Sequence, residues 1–122
     1  MKLLKSFLLL ALAAVNAPGQ RVDPSTLDGK VLLGYQGWFN CAGDGSPRND
    51  WRSWARGAPA PETLTIDMYP DLREFDPAQL CAVPGFTIGG RPAYLFSAWN
   101  PKVVSRHFQW MKQYGLDGVL VG

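Results

Sequence analysis

Residues 100–121 read NPKVVSRHFQWMKQYGLDGVLV, and each step of that run predicts a change of structure. Asn100 before Pro101 has the form of a helix N-cap with proline at the first helical position, where the missing N–H breaks no intrahelical bond. Val104, Phe108 and Met111 recur at i, i+4 and i+7, which places them on one apolar helix face. Gly115 predicts the C-terminal stop, with Leu116 beyond it for the usual hydrophobic contact. Asp117-Gly118 reads as a turn. Val119-Leu120-Val121 then begins a buried strand.

Outward from this run, residues 30–39 (KVLLGYQGWF) supply the strand before the helix. Val31, Leu32 and Leu33 form a continuous apolar stretch, as expected of a strand buried on both faces. Gly34 and Gly37 mark a bulge or a close backbone approach. A strand, a long excursion, a helix and a second strand make one βα repeat unit with a large insertion, and that unit needs neighbours to cover its strands. A chain ending at Gly122, directly after such a strand starts, reads as the opening portion of a larger fold.

The excursion is loop-rich. Residues 40–61 are polar and punctuated by Gly43, Gly45, Pro47, Gly57, Pro59 and Pro61, and loops of that length are functional or disordered. Trp51 and Trp54 argue against simple disorder. Residues 63–69 (TLTIDMY) alternate Leu64, Ile66 and Met68 against polar neighbours, which predicts a strand of period two. Gly89-Gly90 predicts a short hairpin over residues 87–93, followed by an apolar run at 93–99.

The chain has 122 residues, 47% of them apolar and 18% charged, an ordinary globular composition. Residues 1–19 read as a secretory signal peptide: Lys2 and Lys5 precede an apolar run from Phe7 to Val15, with cleavage sites at Ala17 or Gly19. The alternative is a retained anchor, although the run is about half of the ~20 residues that span a bilayer. Losing Lys2 and Lys5 leaves ten basic and ten acidic residues. Nucleic acid is therefore no expected partner, and no membrane span is expected after cleavage. One histidine and two cysteines exclude Cys₄ and Cys₂His₂ zinc sites within the chain. Export to a secreted or periplasmic location makes Cys41 and Cys81 a disulfide candidate, with two buried thiols as the alternative.

The segments GYQGWFNCAGDGS, TIDMYPDLREF and LFSAWNPKVVSRHFQWMKQYGLDGVLV resemble the glycoside hydrolase family 71/99-like proteins, the clan of endo-α-mannosidases, some of whose relatives are labelled xylosidase/arabinosidase. The resemblance runs from Lys30 to Gly122. It implies an α/β fold, the N-terminal portion of a (β/α)₈ TIM barrel with a long first βα excursion. It divides the chain into a signal peptide (1–19), a lead-in (20–29) and a partial barrel (30–122). Such barrels need about 250 residues. Removing 17 to 19 leader residues leaves 103 to 105 here. The family's catalytic carboxylates lie on later strands and match nothing in this sequence, so the resemblance implies no catalytic residue, cofactor or metal in the chain. It implies a secreted O-glycosyl hydrolase acting on poly- or oligosaccharides, with this segment inactive alone. The alternatives are a non-catalytic carbohydrate-binding protein or an inactive fragment.

In a barrel the C-terminal ends of the strands face the substrate. That places Tyr35, Gln36 and Trp38 as substrate-binding candidates, since indole and phenol pair a flat apolar face with a polar tip. Core packing is the competing reading for each. Trp99 precedes the helix and joins them, while Asn100 reads as a cap. Asp67 and Asp71 are the best local carboxylate pair, read as sugar-hydroxyl acceptors or as loop-structuring groups. Trp51 and Trp54 either form a stacking shelf or pin the loop. Trp110 is expected on the outer barrel surface, and His107 at the surface or half-buried. Asp44, Ser46, Asn49 and Asp50 have a calcium-like look but lack EF-hand spacing, and read as a turn-rich loop.

Overall fold

The computed structural model describes residues 21–122. The signal peptide lies outside the described residues, as does the first residue of the lead-in. Among the described residues the chain is mixed α/β with four strands and one α-helix: β1 (Leu32–Tyr35), β2 (Leu80–Ile88), β3 (Arg91–Phe96), α1 (Pro101–Gln113) and β4 (Gly118–Val121). These form two separate two-stranded sheets, and no barrel is closed among the described residues.

β1 and β4 pair in parallel, with Leu32 opposite Gly118 and Tyr35 opposite Val121. α1 lies on the connection between them, so the strand–excursion–helix–strand reading holds. The local chemistry of α1 is also as read. The Asn100 side chain accepts from the Lys102 N–H at 3.0 Å, and Pro101 opens the helix. Gly115 takes φ +75°, which lets the Leu116 N–H reach the Met111 carbonyl at 2.9 Å and the Gly115 N–H reach Lys112 at 3.3 Å. Those two bonds are a Schellman cap. Asp117 then clasps β1: its carboxylate accepts from the Val31 N–H at 2.8 Å, and its own N–H donates to the Val31 carbonyl at 2.9 Å.

β2 and β3 form an antiparallel hairpin, longer than the sequence pattern suggested. Its two-residue turn is Gly89-Gly90, with φ of +56° and +75°, the primed geometry that matches strand twist. The pairing shifts between Ala82 and Thr87, where Pro84 and Gly85 interrupt the ladder. On β3, Ala93 and Leu95 point inward while Tyr94 is exposed. Together with Val83, Cys41 and Trp54 they form the buried core, onto which Phe39, Trp51, Ile66, Tyr69 and Phe86 pack.

Three expectations need correction. Residues 63–69 are not a strand; only an isolated bridge, Ala55 to Leu64, forms there. The Thr63 hydroxyl instead donates to the Ala58 carbonyl at 2.7 Å and accepts from the Ala60 N–H at 2.8 Å, tying the segment into a turn. The buried helix position is Val103, one residue before the Val104 stripe, and Phe108 is exposed. The helix has a second inward face, Val103–His107–Trp110, because the excursion packs against it. Trp110 accordingly lies 5.2 Å from Phe75, centroid to centroid, rather than on an outer surface. Finally, Val31 and Leu33, read as buried on both faces, are about half exposed, since β1 has one neighbouring strand.

Cys41 and Cys81 are bonded, with Cα atoms 6.3 Å apart at a sequence separation of 40. The bond fixes the loop after β1 onto the hairpin. No helix among the described residues is long and apolar enough to cross a membrane.

Candidate functional site

The parallel pairing sets one rim of the molecule. β1 and β4 run side by side and end together at Tyr35 and Val121. Only residues 114–117 link the end of α1 to the start of β4, so α1 runs back against the strands and its N-terminus lies at their C-terminal rim. A backbone bond from the Ala98 N–H to the Phe39 carbonyl, 2.8 Å, joins the chain leaving β1 to the chain entering α1. Trp38 and Trp99 each lie one residue from that bond, although 61 positions separate them in sequence. Both indoles are open to solvent, at 39% and 54% exposure. The Trp38 ring covers the end of β4: a Cβ at Gly122 would sit 3.2 Å from its Cη2. Gln36 is exposed on the same stretch.

The loop behind the rim is held by Asp44. Its Oδ2 accepts from the Ser97 hydroxyl at 2.6 Å, the Cys41 N–H at 3.1 Å and the Asn40 amide at 3.2 Å, and its Oδ1 from the Ser46 N–H at 2.7 Å. Partial burial pushes the Asp44 carboxyl up, but the bonds from Ser46, Ser97 and Cys41 outweigh it and hold the group far below the usual carboxylate range. The lone pairs that would attract a cation are thus spent on protein donors. Among the described residues no group of three His, Cys, Asp or Glu side chains is placed to hold a metal. The sequence pattern does not point to Ser97; for Asp44 it implies a turn-rich loop, and the Asp44-Gly45-Ser46 run three residues after Cys41 forms that turn.

The remaining candidates are divided between other places. Tyr35 faces α1, sharing a hydrogen bond with His107 Nδ1 at 3.0 Å and packing edge-on against Phe108. Burial raises the Tyr35 phenol and lowers the His107 imidazole, so both are neutral near pH 7. Asp71 lines an open groove along α1 with Glu74, Phe96, His107, Trp110 and Tyr114. Arg73 Nε sits 2.9 Å from both Asp71 oxygens and holds that carboxyl down to about 2. Asp71 is therefore held as an anion, in an ion pair that is open to solvent on both sides. Asp67 is exposed and is not among the residues lining that groove. Trp54 is a pin: it is 3% exposed and its Nε1–H donates to the Phe96 carbonyl at 2.9 Å.

No family model, no curated protein and no solved structure matches this chain.

Proposed function

We propose that this chain forms the opening strand–helix–strand segment of a secreted carbohydrate-active (β/α)₈ protein of the glycoside hydrolase 71/99-like type, and that its rim binds sugar. The observation that carries the reading is the pair of solvent-open tryptophans, Trp38 and Trp99, joined across the Ala98–Phe39 bond where two parallel strands end. Parallel strands present ligands at their C-terminal ends. Exposed indoles there offer flat apolar faces for pyranose C–H groups and N–H donors for hydroxyls. The Cys41–Cys81 bond fits an oxidising, extracytoplasmic setting.

In this reading the segment supplies binding surface and the catalytic carboxylates belong to later strands. Glycoside cleavage needs an acid and a second carboxylate flanking the bond. Asp71 is held as an anion by an exposed ion pair with Arg73, and this segment on its own offers binding surface; a non-catalytic carbohydrate-binding protein is the second reading.

The test is calorimetric titration of the oxidised chain with xylotriose and, separately, mannotriose. Binding that weakens about tenfold in Trp99→Ala supports the reading; tenfold corresponds to ~1.4 kcal/mol, within the worth of an aromatic contact. Heat signals absent for both sugars overturn it. The chain alone is expected to release no product from xylosides, arabinosides or α-mannosides. Turnover abolished by Asp71→Asn would make Asp71 catalytic and remove the non-catalytic assignment.

A further inference from the structure

We infer that the cavity within the 40–61 loop is a second sugar subsite adjoining the rim; this rests on the carbohydrate reading above. The cavity measures about 540 Å³ and is lined by Asn49, Asp50, Trp51, Arg52, Ser53 and Thr65 among others. That volume lies within the ~300–1,000 Å³ of small-ligand pockets.

Its polar groups are unusually free. The indole N–H groups of Trp54 and Trp110 are bonded, to the Phe96 carbonyl and to Glu74. Trp51 Nε1 has no hydrogen-bond partner among the described residues, and no buried polar side-chain atom there lacks one, so this N–H opens to solvent. Arg52 forms no ion pair among the described residues; the pairs present are Asp71–Arg73 and Glu74–Arg106. One Asp50 oxygen accepts from the Arg52 N–H at 3.1 Å, and the other is free. A half-buried indole, a guanidinium and a carboxylate around one cavity match the apolar face and adjacent hydroxyls of a neutral pyranose.

The backbone is also constrained there. The non-glycine residues with positive φ among those described are Asn49 (+48°) and Ser53 (+62°), and both line the cavity. Sparsely populated backbone persists where surrounding contacts enforce it, and such positions cluster at binding sites. Ser53 is enforced from two sides: Thr65 Oγ1 donates to its carbonyl at 2.9 Å, and its hydroxyl donates to the Trp38 carbonyl at 3.4 Å. The second bond, with Asn40 N–H to the Arg52 carbonyl at 3.1 Å, places the cavity directly beside the rim tryptophan's backbone. A ligand longer than one sugar would engage both.

The same xylotriose and mannotriose titrations on Arg52→Ala, Trp51→Phe and Trp99→Ala separate the two readings. Trp51→Phe keeps an aromatic ring for packing and deletes the N–H; Arg52 is exposed and its loss leaves the core intact. Weakening of about tenfold in either loop variant, with unchanged melting, supports the subsite. Weakening in Trp99→Ala alone overturns the subsite and leaves the rim reading standing. Weakening in the loop variants alone overturns the rim and leaves the cavity as the sugar site. Absence of binding in the parent chain overturns both.

Discussion

The β1–α1–β4 unit and the disulfide-tied lobe formed by the 40–61 loop and the β2–β3 hairpin bury their apolar residues differently. In the lobe, Cys41 and Leu95 are fully buried, and Val83, Ala93 and Trp54 nearly so. In the parallel unit, Leu33, Leu120 and Val121 are 51%, 65% and 73% exposed. The antiparallel hairpin finds its partner two residues away and needs only one covered face, which the loop supplies. Parallel strands need a crossover and cover on both faces. The lobe is therefore closed by its own residues together with Phe39, Ile66 and Tyr69, while the parallel unit leaves an aliphatic surface wet.

The largest expected effect falls on the lobe. Closing a 40-residue separation by the Cys41–Cys81 bond is worth about 3–4 kcal/mol in the chain-entropy account. Reduction, or Cys41→Ser with Cys81→Ser, should lower Tm by more than about 10 °C in a melt followed by circular dichroism. An unchanged Tm would mean that the lobe's closure does not depend on the bond.

Core truncation sharpens the contrast. Leu95→Ala removes a fully buried side chain and should cost about 3 kcal/mol in urea unfolding. Leu120→Ala removes a mostly exposed one and should cost less than about 0.5 kcal/mol. Equal losses would show that the parallel unit is covered in solution, by a second copy for instance, and that the two regions are alike.

What could be read from the sequence follows the same division between local and tertiary causes. Asn100-Pro101, Gly115 and Gly89-Gly90 act within a few residues, and their caps and turn form as the pattern implies. Asp117-Gly118, read as a turn, is none: Gly118 opens β4 and Asp117 bonds Val31, far away in sequence. Thr63 to Tyr69 alternates like a strand, but alternation cannot supply a neighbour, and the Thr63 hydroxyl offers the backbone a turn instead. Val104, Phe108 and Met111 share a face by spacing, but that face is only partly covered, with Phe108 exposed. A second inward face through Val103, His107 and Trp110 exists because Phe75 and Phe96, far away in sequence, pack on it. At the rim, Trp38 and Trp99 were individually legible from position. Their proximity depends on the Ala98–Phe39 bond, which no short-range pattern encodes.

Asp44 offers an intermediate effect. Its folded carboxyl titrates below the unfolded value, so its stabilisation is present above about pH 4–5 and is lost as pH falls through and below that range. Asp44→Asn should be less stable than the parent by about 2 kcal/mol at pH 7, the order of hydrogen bonds to a charged acceptor. The difference should begin to shrink below about pH 4 and go on shrinking as pH falls toward the much lower folded value. A constant difference across that range would assign the effect to packing of the loop and not to charge.

The smallest effect sits where the two regions meet. His107 touches β1 through the Tyr35 hydroxyl and the lobe through Phe75 and Phe96, with centroids at 6.0 and 4.9 Å. Burial lowers its folded pKa beneath the ordinary value near 6.5, so between those two values the unfolded chain binds more protons than the folded one. Stability therefore rises with pH through that window and falls on acidification, the reverse of a histidine stabilised by a carboxylate. The nearest acidic group of the groove, Glu74, is engaged by the Trp110 N–H and Arg106, and Asp71 by Arg73, so neither is free to take up the imidazolium charge. His107→Phe should keep the aromatic packing, lose the Tyr35 bond, and lose the fall in Tm that the parent shows on acidification below about pH 6.5. Melting at half-unit steps between pH 7.5 and 5 measures this apart from Asp44, whose change comes at lower pH. If the parent and the Phe variant melt in parallel across the window, the imidazole carries no proton-linked stability, and the junction is held by ring packing alone.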